Sequence, residues 1–293
     1  MYTKPSAPRS IGGVVDDGLK LYGSAFAKSW PLALLAQVLV AVPALIIQAQ
    51  FGGQRFTAGN PQAALAILKS PSVWLSYLVM MMVFLGFYNA LIALLDGVAI
   101  GKTESLGRSF GAGFRLLPRT ILLFVVMSLA LGAVGIAGVL FVTMMTRGIG
   151  AASPIVMGII SVVFAALLVY VWGRLFLSNV ALVVEDAGVF KSLGISWGLI
   201  KNHWWRTATV YTIALIIAMV FYMVIAFVNT ALVGVSLQKS FGIATIIAQL
   251  VSVVGGTVLM SLIPAVLLAM YHDLKLRSEG ADLAGRVNSL ASR

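Results

Sequence analysis

Apolar residues in this chain fall in six long, nearly unbroken blocks: Trp30–Gln50, Val73–Leu95, Pro118–Met144, Ile155–Val184, Thr207–Val235 and Phe241–Tyr271. A helix needs about 20 mostly apolar residues to cross a bilayer, and every block has that length. The blocks do not alternate with period two, so they predict helices and not the strands of a barrel. Ile155–Val184 and Phe241–Tyr271 exceed one crossing and are expected to tilt or to project beyond the bilayer. The pattern predicts an all-α integral membrane fold with six transmembrane helices.

The polar stretches between the blocks repeat. Arg9-Ser10-Ile11-Gly12, Glu104-Ser105-Leu106-Gly107 and Lys191-Ser192-Leu193-Gly194 share a Ser-[Ile/Leu]-Gly start, at intervals of 95 and 87 residues. Each start opens an amphipathic pattern of helical period. The second copy places Leu106, Phe110, Phe114 and Leu117 on one stripe, with Arg108 and Arg115 off it. The third repeats it with Leu193, Trp197 and Ile200, and the first with Ile11, Val15, Leu19 and Tyr22. The chain 1–293 then reads as a single membrane domain of three repeats, 9–96, 104–186 and 191–273, followed by a tail, 274–293. Each repeat is an amphipathic helix plus a helical hairpin. An even number of spans per repeat makes the copies parallel, and a closed ring would relate them by rotations of about 120°.

Charge sets the orientation. Of the 20 bases, only Arg55, Lys69, Arg147 and Lys239 lie on one side of the six blocks, and the remaining sixteen and all nine acids lie on the other. The positive-inside rule puts that side, both termini and the three amphipathic segments in the cytoplasm. The predicted location is a bacterial cytoplasmic (inner) membrane. The net charge of +11 fits anionic lipid, so no nucleic acid is expected as a partner. Arg108, Arg115, Lys191 and Lys201 are the candidate lipid-contacting residues, placed to meet anionic headgroups. The amphipathic helices face either lipid or the bundle. The loop from Phe51 to Ser72 carries turn signals and a short AALAILK stretch with helical pattern.

Candidate chemistry is sparse. The chain has no cysteine, which excludes disulfides and thiolate catalysis. His203 and His272, the only histidines, lie at separate helix ends and read as packing residues. No paired-histidine, P-loop or Gly-x-Ser-x-Gly pattern occurs, so no metal site, no cofactor and no catalytic residue is expected. Asn89 precedes Asp96 by seven residues and Asn179 precedes Asp186 by seven, about two helical turns. The third copy places Pro264 and Tyr271 there, with Asp273 just beyond. Asn89, Asp96, Arg174, Asn179, Asp186 and Asp273 form a candidate cytoplasmic polar cluster. The favoured reading is simpler: a helix-packing amide and a terminal acid paired with a neighbouring base. Arg174 either snorkels at the inner interface or pairs with an acid such as Asp96. Gln37, Gln48, Asn229 and Gln249 can bond between helices, and Gly132–Gly135–Gly138 and Gly255–Gly256 allow close helix contact.

Two stretches resemble a known group. The tail YHDLKLRSEGADL, Tyr271 to Leu283, is similar to the ending of the bacterial glycerophosphoryl diester phosphodiesterase membrane domains, which have YciC-like relatives of unknown function. Glu185-Asp186, Lys191-Ser192-Leu193, Ser196-Trp197 and Trp204-Trp205-Arg206 resemble that family's centre. The family takes its name from members with a soluble phosphodiesterase domain after the membrane part. No such domain is expected in the short tail here, so the resemblance implies a membrane domain without that activity. The expected function is therefore a non-enzymatic scaffold or subunit of an envelope-related complex, with a protein partner in the membrane or cytoplasm. The alternative is a transporter or lipid-handling protein with a path between the repeats.

Overall fold

The computed structural model describes residues 2, 4–43, 69–102, 105–148, 154–236 and 243–291, and all regular structure among them is helical. In chain order the helices are α1 (Ile11–Val40), α2 (Pro71–Ala99), α3 (Leu106–Arg115), α4 (Leu117–Gly148), α5 (Pro154–Leu175), α6 (Ser178–Val184), α7 (Val189–Lys201), α8 (Trp204–Ser236), α9 (Ile243–Met260) and α10 (Leu262–Ala291). Six stretches are long and apolar enough to cross a membrane: Ile11–Val40, Pro71–Ala99, Leu117–Met145, Val156–Val184, Trp204–Leu232 and Ile246–Gly280. The AALAILK stretch lies outside the described residues.

The first amphipathic segment is not a separate helix. Ser10 caps α1 by accepting from the Gly13 amide at 3.1 Å, and the helix runs through Pro31 to Val40. The expected boundary at Trp30 fails, since the helix continues through Pro31 instead of breaking there. In the second copy Pro118 sits in the first turn of α4, where its missing N–H costs nothing, and α3 remains a separate helix capped by Ser105. In the third, Asn202 ends α7 before α8 starts at Trp204. The last span is also divided. Pro264 clashes with the carbonyl four residues back, and α9 ends there, at Met260.

α10 is the axis of the bundle. Ala265, Leu268 and Tyr271 are fully enclosed, and their neighbours from Leu262 to Leu274, apart from Ile263, are nearly so. In the most apolar window of the last span 72% of residues are buried, against none in that of Val156–Val184, so the hairpins are unequally buried. α1 packs closely on α10 because residue 18 is glycine: a Cβ there would stand 2.8 Å from the Val266 backbone. α3 approaches α2 closer still, since a Cβ on Gly113 would lie 2.4 Å from the Gly86 carbonyl oxygen. Small residues at such crossings replace the hydrophobic drive that lipid removes. Gly255 and Gly256 behave as expected, abutting Ile225 and Gln37. Of the other run only Gly138 meets a neighbour, Phe164, while Gly132 and Gly135 face open space. Leu129, Ile136, Val162, Met144 and Phe227 are among the most exposed apolar side chains and form the lipid-facing surface.

Candidate functional site

The base-rich end of the bundle gathers nearly all the ion pairs, and the amphipathic helices set its geometry. α3 turns Phe114 and part of Phe110 onto Phe87 of α2, edge to face at 5.5 Å each, while Arg108 and Arg115 stay exposed. The buried residues of α3 are Ser109 and Gly113, while Leu106 and Phe110 of the expected stripe are 40% and 38% exposed. In α7 the buried face is Ser192, Ser196, Leu199 and Ile200, rotated from the expected Leu193–Trp197–Ile200 stripe. The serine hydroxyls spend their hydrogen bonds on backbone carbonyls, Ser196 on Arg174 and Ser192 on Val189, both at 2.7 Å. Short, satisfied side chains let α7 seat closely, and Trp197 remains partly exposed. α1 is rotated likewise: Val14, Val15, Gly18, Leu21 and Ala25 are buried, while Leu19 is exposed.

The six residues of the expected polar cluster do not converge on one point. They divide into five sets. Asn179 donates to Asn89 Oδ1 at 3.2 Å, and Asn89 donates to Thr120 Oγ1 at 2.8 Å and to the Gly113 carbonyl at 3.4 Å. This amide node ties α6, α2, α4 and α3 together inside the bundle. Asp96 lies 3.2 Å from Nε2 of His272, which is buried. Asp273, next in sequence, accepts from the Arg9 amide at 2.7 Å, from Arg206 at 3.0 and 3.2 Å, and from Arg277 at 3.0 Å. Arg206 and Arg277 also donate to the Arg9 carbonyl, so Asp273 fixes the start of α1 against α8 and α10.

Asp186 is the exposed counterpart. It accepts from Arg119 at 2.7 Å and Arg115 at 3.4 Å. Its φ of 45° is left-handed, a conformation Asp tolerates better than most residues. That turn ends the helix before it and aims the carboxylate at α4. Glu185 beside it faces the other way and accepts from Tyr271 at 2.7 Å and from Lys275. These two donors hold the Glu185 carboxyl below the usual carboxylate range. Burial and the nearby Arg277 and Arg206 hold His203 below its ordinary value.

Arg174 neither snorkels nor meets Asp96. It is 6% exposed, with its guanidinium about 5 Å over the rings of Tyr170 and Trp197. It donates to the Tyr170 hydroxyl at 2.5 Å and the Trp197 carbonyl at 3.2 Å. Cation–π contact of this kind is strongest when desolvated, and α7 supplies the cover. The importance of Arg206, Arg277, Thr120 and Glu185 was missed in the sequence. Its one signal was spacing: Arg119-Thr120 and Arg206-Thr207 follow Ser105 and Ser192 at the same distance.

Two further features mark this end. Phe190 and Trp205 are 75% and 80% exposed, among exposed Lys191 and Lys201. Between α7 and α10 lies a cleft of about 430 Å³, walled by Lys191, Lys275, Glu185 and Glu279, with Gly194 and Gly198 along one side. Both glycines face open space, as do Gly107 and Gly111 on α3. Among the described residues no group of three or more histidines and acids could hold a metal ion.

Six apolar helices and a charged end of paired acids and bases define a multi-pass, all-α membrane protein. The chain belongs to the family described as a domain of unknown function, DUF7847, whose model matches residues 23–274. Neither the curated proteins nor the solved structures contain a match to it.

Proposed function

We propose that this protein is a non-enzymatic scaffold or subunit of an envelope-related complex in a bacterial cytoplasmic membrane. Both termini, α3 and α7 face the cytoplasm in this reading, as the distribution of bases requires. One observation carries it: α3 and α7 present exposed bases, open glycine faces and, around α7, exposed aromatics at the same end of the bundle. Aromatic rings and bases at that level suit lipid headgroups, and the open glycine faces leave room for a partner helix.

The threefold repeat is part of the proposal. Arg119–Asp186 and Arg206–Asp273 each join residues 67 apart, and the two bridges are offset by the 87 residues that separate Ser105 from Ser192. This register sets Asp273, not Tyr271, against Asp186. The first copy departs from it, since Asp96 faces His272 instead of an arginine of its own repeat. Kinship with the glycerophosphoryl diester phosphodiesterase membrane domains rests on the tail, and no phosphodiesterase activity is carried over with it. A transport path along α10 would have to pass Leu91, Leu94, Leu95, Leu268 and Tyr271, all fully buried, which favours the scaffold.

The test is lipid selection in nanodiscs. Each base near a charged surface contributes about 1 kcal/mol, so changing Arg108, Arg115, Lys191 and Lys201 together to Gln should weaken enrichment of anionic lipid strongly at low salt. Unchanged enrichment refutes the headgroup role. Labelling of single cysteines placed at Lys69 and Lys102 checks the orientation, with Lys102 accessible from the cytoplasm.

A further inference from the structure

Below the charged end, a cavity of about 250 Å³ opens among the helices, walled by residues that include Tyr88, Phe124, Trp172, Asn179 and Tyr211. Its wall draws on α2, α4, α5, α6, α8 and α10, so it is a product of the whole fold and not of one groove. Phe84 and Trp172 on its rim are 38% and 41% exposed on the lipid-facing surface, which gives it a mouth toward the acyl chains. Asn179 stands seven residues before Asp186, about 10 Å along a helix. The cavity thus lies beneath the headgroup plane.

Its polar groups are few and specific. Asn179 is 6% exposed, donates to Asn89, and has its Oδ1 buried without a hydrogen-bond partner. An acceptor left unmet in an apolar surrounding is unfavourable, so the position suits a group that donates. Tyr88 and Tyr211 also line the cavity. Among the described residues neither hydroxyl makes a hydrogen bond, so both can donate to a carbonyl. No charged side chain contributes to the wall. A phosphate would have to shed its water there with no base to meet it.

We propose that this cavity binds an uncharged glycerolipid bearing a free hydroxyl, the chemistry of a diacylglycerol. The hydroxyl donates to Asn179 Oδ1, the tyrosines donate to ester carbonyls, and an acyl chain leaves between Phe84 and Trp172. The inference stands apart from the scaffold reading, because it uses none of the bases at the charged end.

The test uses the full-length protein in nanodiscs with a photoreactive diacylglycerol. Crosslinks should map to the cavity wall and be competed by unlabelled diacylglycerol at least tenfold better than by phosphatidic acid with the same chains. Asn179→Leu should cut labelling about tenfold. Met127→Trp, which fills the cavity and leaves the amide node in place, should do the same and guards against misfolding of the first variant. Tyr88→Phe with Tyr211→Phe should give a smaller loss. Equal competition by phosphatidic acid, or full labelling after Met127→Trp in a normally folded protein, overturns the proposal. Loss of anionic-lipid selection in the four-base variant with diacylglycerol labelling intact would separate the two readings.

Discussion

Replacing Asp273 by Asn should destabilise the protein far more than the same change at Asp186, though each is an aspartate that meets two arginines. The Asp273 side chain is 4% exposed and its partners Arg206 and Arg277 are 18% and 25% exposed. It also accepts the Arg9 amide at 2.7 Å. An amide can keep part of this geometry but not the charge, which leaves two guanidinium groups half-buried and uncompensated. Breaking a buried pair in this way costs about 3–5 kcal/mol. Both arginines retain the Arg9 carbonyl and some water, which points to the lower end, about 3 kcal/mol. At Asp186 the carboxylate is 56% exposed and its arginines 50% and 70%. Solvent screening there leaves about 0–1 kcal/mol, and Asn, like Asp, accepts a positive φ. Unfolding by SDS in mixed micelles, followed by circular dichroism, measures both variants. Equal losses, or a loss under about 1 kcal/mol for Asp273→Asn, would refute the assignment of Asp273 as the tie between α1, α8 and α10.

Gly113→Val should lower stability by about 1–3 kcal/mol in the same assay and release α3 from α2, read as faster proteolysis at Lys102, because the new Cβ would stand 2.4 Å from the Gly86 carbonyl. Acidification should destabilise the protein in two windows. His203 is depressed from 6.5, so the unfolded chain takes up its proton first and stability falls as pH drops from about 6.5 through the folded value. Glu185 is depressed from 4.5, so its contribution is complete above that value and is lost as pH falls through the lower folded one. His203→Gln should remove the upper loss and Glu185→Gln the lower one, seen in pH-resolved melting of the three proteins.

How far the sequence could be read depended on which forces were local. Hydropathy placed all six long helices, because the solvent for each span is lipid and the signal is summed over twenty residues. Pro118 and Asn202 mark breaks that separate α3 and α7 from their spans. At Trp30 the adjacent Pro31 does not break α1, and there the expected boundary was wrong. Helix rotation was harder. The apolar stripe pointed to either lipid or the bundle, and α7 instead buries Ser192 and Ser196. In a membrane, close approach and a satisfied hydroxyl compete well with apolar size, since the exposed side is not water. The polar site was legible by type but not by partner. Asn89 and Asn179 were recognised as a matched pair, and they do bond to each other, but Arg174 finds aromatic rings. The partners of Asp96 and Asp273 come from α10, α8 and Arg9 ahead of α1, at separations no local pattern encodes.

The position of α10 has a consequence for biogenesis. The helix that fills the centre follows α1 to α9 in the chain, so those helices enter the membrane around a place still occupied by lipid. Gly18 on α1 waits for Val266, and the start of α1 remains untied until Asp273 arrives. Earlier spans are then held mainly by their hairpin partners, and the bundle closes in a final step that expels lipid from its axis. A chain stopped before Leu262 would carry five spans and an open seam. Along that seam Arg206 and the start of α1 would lack the carboxylate that joins them, a lone buried charge for cellular quality control to meet.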